Sequence, residues 1–218
     1  METNTIVSIE GNIGSGKSTL LTYLQEQFKN RNIVFLQEPV HMWETIKDSE
    51  GNTMLQKFYG DQQKYAFSFQ IMAYISRLSI LKKAMRENRN SVIITERSLH
   101  TDKMVFAKML YDNKTIEDVN YQIYLKWFDE FCEECKLSKI IYVNASPEIC
   151  FNRIQKRSRV GESCIPLVYL QDCHKYHENM MEELNVPQLI LDGNINIYEN
   201  SCLLNIWVQD IDTFIQSS

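Results

Sequence analysis

Residues 11–19, near the start of the chain, form a glycine-rich segment that can hold a row of phosphates. The segment reads GNIGSGKST and fits the pattern G-x-x-x-x-G-K-[ST], between an apolar run and a helical pattern. In such a loop backbone N–H groups point at phosphate oxygens, the lysine reaches the β- and γ-phosphates, and the next hydroxyl ligates Mg²⁺. We predict a triphosphate site made of Gly11, Asn12, Ile13, Gly14, Ser15, Gly16, Lys17, Ser18 and Thr19.

A carboxylate at the end of the second predicted strand is the first candidate for an acceptor site. Glu38 follows the apolar run 32–37 and precedes Pro39. The carboxyl ends of parallel strands line the crevice where open α/β sheets bind ligands. Glu38 is therefore either an inert surface cap or a general base that takes a proton from a hydroxyl attacking the γ-phosphate. Trp43 favours a site if its ring stacks on a base or sugar, and is otherwise a core residue.

Charged residues also follow the third predicted strand, in the segment TERSLHTDK (95–103). Unpaired charges at the end of a buried strand are costly, so Glu96, Arg97 and Asp102 need partners. They either form an ion pair that neutralises the strand end, or they serve a site. In the second case Glu96 helps to hold Mg²⁺, while Arg97 contacts the acceptor oxygen and orients Glu38.

A basic run lies between residues 153 and 159 of an otherwise acidic protein. It contains Arg153, Lys156, Arg157 and Arg159, of which Arg153 and Arg157 share a helix face. A solvated charge run is the usual explanation, and nucleic-acid binding is weaker because the patch is short. We favour a lid, at about residues 153–165, that brings arginines to the transferring phosphoryl group and excludes water.

Short apolar runs that alternate with long helical patterns must position these residues. The runs are apolar on both faces, as parallel strands covered by helices must be, and they lie at 5–10, 32–37, 91–96, 139–145 and 188–192. Helices are predicted at 17–29, 61–88, 115–136, 147–157, 166–184 and 200–216. We therefore expect an α/β fold with a five-stranded parallel sheet and helices on both faces, in one domain over residues 1–218.

Composition limits the classes of partner. The net charge is −5, which argues against a general nucleic-acid surface. No apolar run approaches the roughly 20 residues that span a bilayer, and residues 1–10 carry no signal or transit pattern. We expect a cytoplasmic protein with no membrane or nucleic-acid partner. Its six cysteines are then free thiols, and CEEC (132–135) is a packed helical segment rather than a metal or redox motif.

Taken together, these segments resemble the deoxynucleoside kinase family, and more closely its deoxycytidine/deoxyguanosine kinase branch. The resemblance keeps order and approximate spacing over nearly the whole chain. Its matching pieces are GNIGSGKST (11–19), EPV (38–40) with Trp43, FYGDQQKYAFSFQ (58–70), SR (76–77), ERS (96–98) with Asp102, R-x-x-x-R-x-R (153–159) and E-x-x-IPL-x-YL (162–170).

The resemblance implies a P-loop kinase fold and a role for each matched position. The family transfers the γ-phosphate of ATP, with Mg²⁺, to the 5′-hydroxyl of a deoxynucleoside. Glu38 resembles the family's base and Arg97 the residue that steadies it. The remaining implied roles are Tyr59 and Glu162 at the sugar 3′-hydroxyl, Gln70 at the base edge, Phe69 stacked on the base, and Arg153, Arg157 and Arg159 in the lid.

The loop for the donor adenine is the segment that departs from the family pattern. LDGNINI (191–197) resembles this loop, but Ile195, Asn196 and Ile197 stand where the family often has acidic and aromatic residues. The resemblance assigns these three residues to ATP binding. The departure leaves the choice between ATP and another triphosphate donor open.

Two charged residues bear on which nucleoside is accepted. Gln70, Ala73 and Arg77 lie on one helix face, and Arg77 can pair with Asp102 across the pocket. Asp102 can then accept a hydrogen bond from an exocyclic amino group, while Arg77 crowds the methyl group of thymine. Thymidine-preferring relatives tend to be apolar at both positions. We expect a preference for deoxycytidine or purine deoxynucleosides over thymidine; the alternative is an ordinary buried ion pair.

The resemblance also implies a homodimer. The helical patterns at 61–88 and 117–136 carry more aromatic and aliphatic residues than one sheet face needs. Core packing is the default explanation for such residues. Relatives dimerise through a helical bundle of this kind.

Two other functions remain open at this stage. A nucleoside monophosphate kinase, such as thymidylate kinase, has the same fold, but a carboxylate at Glu38 would repel its charged substrate. A non-catalytic relative that serves as a structural subunit need not keep Lys17, Glu38 or Arg97, all of which are present.

Overall fold

The sheet has five parallel strands in the order β2-β3-β1-β4-β5. It is seen in a computed structural model that describes residues 4–157, 165–197 and 199–217. The strands are β1 (Thr5–Glu10), β2 (Ile33–Leu36), β3 (Val92–Glu96), β4 (Lys139–Asn144) and β5 (Gln188–Asp192). Each lies within its predicted run, and the predicted fold class is confirmed.

Burial follows position in the sheet. The central strands β1, β3 and β4 are almost wholly buried, which is why they are rich in β-branched residues. The two edge strands are more exposed than their apolar sequences indicate, and Ile190 of β5 is 62% exposed. The loops that leave the carboxyl ends of the central strands therefore rest on a rigid, dry support.

Ten α-helical segments are seen among the described residues. The six predicted helices are present as α1 (Lys17–Gln27), α4 (Gln62–Glu87), α7 (Asp118–Cys132), α8 (Pro147–Arg157), α9 (Leu167–Glu183) and α10 (Ser201–Gln216). The sequence analysis missed four short ones, namely α2 (Val40–Trp43), α3 (Met54–Gly60), α5 (Leu99–Thr101) and α6 (Lys108–Asp112). None of the described helices combines the length and the apolar character needed to cross a bilayer.

Local signals explain how the short helices are placed. Thr53 and Gln56 form a capping box, in which each side chain accepts a hydrogen bond from the other residue's backbone N–H, and this fixes the start of α3. The Asp61 carboxylate then caps α4 by accepting from the backbone N–H of Lys64 at 3.1 Å. The helix α5 runs through a π-helical segment, Asp102–Ala107, into α6. Such segments are rare and often lie at functional sites.

Helices cover both faces of the sheet, as predicted. On one face α1 and α10 pack Leu20, Leu24 and Ile211 against the strands. On the other, α4 and α7 contribute Tyr74 and Phe128, which are buried with residues of β1 and β3. This packing brings α4, which carries three of the predicted substrate-binding residues, to the carboxyl edge of the sheet.

Candidate active site

A cavity of about 700 Å³ opens at the carboxyl ends of the strands. It joins the glycine-rich loop to the predicted acceptor residues, as the sequence analysis expects. Nearly all the predicted site residues in the described part of the chain line it. The two exceptions are Gly11 and Asn12; Arg159 and Glu162 lie outside the described residues.

Glycine is required where the loop passes close to other backbone. A Cβ atom on Gly11 would lie 2.5 Å from the carbonyl oxygen of Val143, and one on Gly14 would lie 2.7 Å from that of Cys150. Both residues also have positive φ, 140° and 83° respectively. The loop is thus packed tightly against β4 and α8, and a larger residue at either position would displace it.

Asn12, predicted to contact the donor, also makes three contacts within the protein. Its Nδ2 donates to the carbonyl oxygen of Leu170 in α9 at 2.8 Å, while its Oδ1 accepts from the backbone N–H of Ile13. Its carbonyl oxygen accepts from Nζ of Lys17 at 2.6 Å. Asn12 therefore ties the loop to α9 and holds the lysine within the loop.

Arg153, predicted to act in the lid, links two loops. Its Nη1 donates to the carbonyl oxygens of Ser15 at 3.1 Å and Gly193 at 2.7 Å, and its Nη2 donates to that of Ile195 at 3.2 Å. A guanidinium is suited to this because it carries five N–H donors in one plane. The phosphate loop and the 193–197 loop are therefore joined through one side chain.

Glu38 is held from one side by two arginines. Its Oε1 accepts from Nη1 of Arg97 at 2.8 Å and from Nη2 of Arg77 at 3.0 Å. Burial alone would raise the pKa of Glu38, but the charges of Arg97, Arg77 and Lys17 outweigh it and lower the pKa to about 2. Glu38 is thus a carboxylate at any pH at which the protein works, with a fixed orientation.

Arg97 has an unusual backbone for its residue type. Its φ is 62°, in the left-handed region that side chains other than Gly, Asn and Asp seldom adopt. Its N–H donates to the carbonyl oxygen of Ile9 at 3.0 Å, and its guanidinium lies 5.2 Å from the ring centroid of Phe106. Backbone strain of this kind clusters at functional sites, and here it turns the side chain towards Glu38.

Arg77 joins the acceptor carboxylate to the residue predicted to read the base. Its Nε donates to Oδ2 of Asp102 at 2.8 Å, so the expected ion pair is present. Its Nη1 donates to the carbonyl oxygen of Glu96 at 2.7 Å, and its Nη2 reaches Glu38. The contact between Arg77 and Glu38 was not predicted from the sequence. Burial raises the pKa of Asp102, and the Arg77 charge works against that rise.

Ser18 and Glu96 meet beneath the phosphate loop. The Ser18 hydroxyl donates to Oε1 of Glu96 at 2.5 Å, and the backbone N–H of Glu38 approaches Oε2 at 3.4 Å. Within the described ranges, no group of three or more His, Cys, Asp and Glu side chains could hold a metal by itself. A metal ion here would need oxygens from a bound phosphate as well.

Aromatic rings form the far wall of the cavity. Phe69 stacks on Phe58 with ring centroids 4.5 Å apart and meets Trp43 edge-on at 5.6 Å. Trp43 is anchored because its Nε1 donates to Oγ of Ser76 at 2.9 Å. Gln70 is 1% exposed, and its Oε1 has no partner in the described structure. An unpaired buried amide oxygen is costly unless a ligand supplies the donor.

Several lining residues were missed by sequence reasoning. Phe58 and Leu55 share a face of α3 with Tyr59, and a helical apolar pattern over 54–60 would have indicated them. No local signal marks the others, because apolar residues that line a cavity look like core residues in a sequence. Among these others are Val40, Phe106, Tyr169 and Trp207.

Lys17 has a perturbed pKa in this structure. Burial, and then the positive charge of Arg97, lower its pKa to about 7, although Glu96 and Glu38 oppose the shift. A triphosphate beside the amine would raise the pKa again. Binding above pH 7 must therefore take up a proton, and affinity falls as the pH rises from about 7 towards the pKa of the bound state.

We predict that a nucleoside triphosphate takes up close to one proton when it binds at about pH 8. Calorimetric titration in HEPES and in Tris, which differ in ionisation enthalpy, measures this uptake. The control is Lys17→Arg, whose guanidinium does not titrate in this range, so its binding enthalpy should not depend on the buffer. Equal enthalpies in the two buffers for the unmutated protein would contradict the assignment.

Comparison with known proteins identifies the group to which the chain is related. The sequence model of the deoxynucleoside kinase family matches residues 7–216. A fowlpox virus protein named a probable deoxycytidine kinase is 34% identical over 223 residues, covering 99% of this chain and 90% of the relative. The mitochondrial deoxyguanosine kinase of Xenopus laevis is 31% identical, covering 89% of this chain and 83% of the relative. Human deoxycytidine kinase is 32% identical, covering 80% and 74%.

These matches decide between the alternatives that the sequence left open. The matching family and these relatives are deoxynucleoside kinases, not monophosphate kinases or structural subunits. The catalytic motifs that carried the resemblance are all found within the matched range. The chain therefore belongs to the deoxynucleoside kinase family, and it is a kinase that uses ATP to convert deoxynucleosides to their monophosphates.

Proposed function

We propose that Glu38 is the group that aligns the attacking 5′-hydroxyl of the deoxynucleoside and accepts its proton. The observation that carries the proposal is the pair of arginines on Oε1 of Glu38. Both occupy the same oxygen, so the second carboxylate oxygen, Oε2, is available to the cavity that Glu38 lines. A hydroxyl bound there would face the phosphate loop across the cavity.

The low pKa of Glu38 limits what it can do as a base. Burial would raise the pKa of Glu38, but nearby positive charges, that of Arg97 above all, lower it to about 2. The Glu38 carboxylate is therefore a weak proton acceptor. Phosphoryl transfer has a loose transition state in which the attacking oxygen bonds late, so little proton transfer is needed before the barrier. Glu38 therefore contributes chiefly by orientation, and it takes the proton as the new bond forms.

The donor half of the cavity binds the triphosphate in this proposal. Lys17 and the loop N–H groups contact the phosphates, and the buried Ser15 hydroxyl, which has no partner in the described structure, is free to join them. Arg157 lines the same half of the cavity, and Arg153 holds the loops together. The role proposed for Arg159, on the transferring phosphoryl group, falls outside the described residues.

Ser18 and Glu96 fit the requirements of a magnesium site. Mg²⁺ in kinases is held by one or two protein oxygens together with waters and substrate phosphates. The Ser18 hydroxyl and the Glu96 carboxylate supply such oxygens and lie 2.5 Å apart. When bound, the ion neutralises charge on the phosphates. Glu96 also approaches the backbone N–H of Glu38, so the two strand ends are coupled.

The acceptor half binds the nucleoside. Gln70 pairs with the base edge through its free Oε1, and the base stacks within the aromatic wall that contains Trp43 and Phe69. Tyr59 lines the cavity near Tyr169 and is placed to contact the sugar, where crowding favours deoxyribose. Glu162, its proposed companion at the 3′-hydroxyl, lies outside the described residues.

Asp102 and Arg77 set the preference among bases in this proposal. Both are buried, line the cavity and are paired with each other. Asp102 accepts a hydrogen bond from an exocyclic amino group, and Arg77 limits the space for a methyl group at position 5 of a pyrimidine. A site built to bind an amino group rejects a base that lacks it, because the carboxylate is then left without that donor.

Four pyrimidine deoxynucleosides separate the effect of the exocyclic amino group from the effect of the 5-methyl group. Deoxycytidine has the amino group alone, 5-methyldeoxycytidine has both groups, deoxyuridine has neither, and thymidine has the methyl group alone. We predict that kcat/KM is highest for deoxycytidine and falls when either group changes, with thymidine at least about tenfold lower. Deoxyadenosine and deoxyguanosine complete the panel, with ATP and Mg²⁺ as donor. Equal kcat/KM for thymidine and the best amino-bearing substrate would contradict the preference.

We also propose that the protein is a homodimer. Val119, Ile123 and Trp127 form an exposed stripe at i, i+4 and i+8 of α7, and they are 65%, 42% and 52% exposed. Ile75 is also exposed, at 54%, and lies on α4, which packs against α7. Hydrophobic side chains gathered in this way on a helical pair are typical of a protein interface. Both helices belong to the segments through which the resemblance implies a dimer.

Light scattering after gel filtration tests the dimer. We predict the mass of two chains for the unmutated protein and a shift to one chain for Ile123→Glu, since a buried charge weakens the interface. The matched control is Ile206→Glu, on α10, whose isoleucine is similarly exposed but lies outside the stripe. A single-chain mass for the unmutated protein at micromolar concentration would contradict the proposal.

We place the enzyme in the cytoplasm, as one domain over residues 1–218. The five described cysteines, at positions 132, 135, 150, 173 and 202, are free. Free thiols are usual in a reducing compartment. The Cys132 and Cys135 thiols have raised pKa values, chiefly because of burial, which agrees with a packing role for this segment.

A further inference from the structure

The donor half of the cavity has one aromatic side chain among its described lining residues, that of Trp207. The other aromatic residues that line the cavity belong to the wall around Glu38, where they contact one another or Arg97. A purine base is a flat ring that gains most from contact with another ring. This difference between the halves raises the question of what the donor base contacts.

Trp207 is held firmly at this position. It lies on the inward stripe of α10 with Leu203 and Ile211, and it packs in one cluster with Ile197 and Val143. The residue is 5% exposed, so its ring meets the cavity through a limited part of its surface.

The 193–197 loop, which also lines the donor half of the cavity, is held in place as well. Arg153 binds the carbonyl oxygens of Gly193 and Ile195, which stops the 193–197 loop from moving away from the phosphate loop. Ile197 of the same loop packs against the cluster that contains Trp207. The loop and α10 thus form two walls of a slot that continues from the phosphate loop.

We propose that Trp207 is the aromatic residue that contacts the base of the triphosphate donor. The indole face or edge lies against the base. This assignment rests on the proposed donor site in the loop. It makes a residue of the last helix the aromatic part of the slot, and it accounts for a base site that lacks an aromatic residue at Ile195 to Ile197.

Donors with and without a base test the assignment. In Trp207→Leu we expect KM for ATP to rise about 5- to 10-fold, because a stacking contact is lost. The KM for the deoxynucleoside should stay within about twofold, and so should the inhibition constant of tripolyphosphate, which carries phosphates but no base. Trp207→Phe keeps a ring and should keep most of the ATP affinity. Tyr23→Leu, on α1 and outside the cavity, is the control for loss of an aromatic ring elsewhere and should resemble the unmutated enzyme.

Intrinsic fluorescence provides a second readout that needs no turnover. ATP should change the emission of the unmutated protein and of Trp127→Phe, and this change should be lost in Trp207→Phe. If Trp207→Leu does not fold, this comparison decides alone. If the unmutated enzyme showed no turnover with ATP, this result would contradict the proposed donor site as a whole and not the role of Trp207 in particular.

Three results would overturn the assignment. One is an equal loss of affinity for ATP and for tripolyphosphate in Trp207→Leu, which would show a structural role. Another is an ATP-induced change in emission that persists in Trp207→Phe. The third is a rise in KM for ATP caused by Tyr198→Leu and not by Trp207→Leu; Tyr198 follows Ile197 in the sequence and lies outside the described residues.

Discussion

The arrangement of this enzyme depends on burying several charges at one edge of a sheet. Glu38, Arg77, Arg97 and Asp102 are all largely buried, and each is balanced by at least one of the others. Such a cluster is weak evidence for stability, because the cost of removing charges from water can exceed what their attraction returns. It is a strong constraint on geometry, since loss of any one member leaves the cluster of four with a net charge. The strand ends, α4 and the π-helical segment must therefore keep their relative positions.

This cluster of buried charges connects the donor half of the cavity to the acceptor half. Glu96 lies between Ser18, on the phosphate loop, and Arg77, which binds its carbonyl oxygen. Through Arg77 the same network reaches Asp102 and Glu38, so the residues proposed to bind the donor, the base and the attacking hydroxyl share contacts. On the donor side, Arg153 joins the phosphate loop to the 193–197 loop. Orientation is thus supplied before any ligand binds, which is how positioning lowers a barrier.

Local patterns predicted the parts of this structure that are local. The five strands and six long helices follow from apolar runs and helical periodicity, and the phosphate loop follows from its glycines. The contact of Arg77 with Glu38 spans 39 positions and has no local signal. Arg153 binds carbonyl oxygens, which every residue carries, so its role could not be told from a phosphate contact. Short helices such as α2 escaped because their few residues show no period.

In the proposed mechanism the fixed carboxylate of Glu38 aligns the attacking hydroxyl. The most direct test is the single-turnover rate constant of Glu38→Gln, with ATP and deoxycytidine both saturating. This substitution keeps the shape and removes the charge, so we predict a fall of about 10²- to 10⁴-fold, with ATP affinity little changed. A rate constant within about threefold of the unmutated enzyme would contradict this role, because the hydroxyl would then be aligned and lose its proton without the carboxylate.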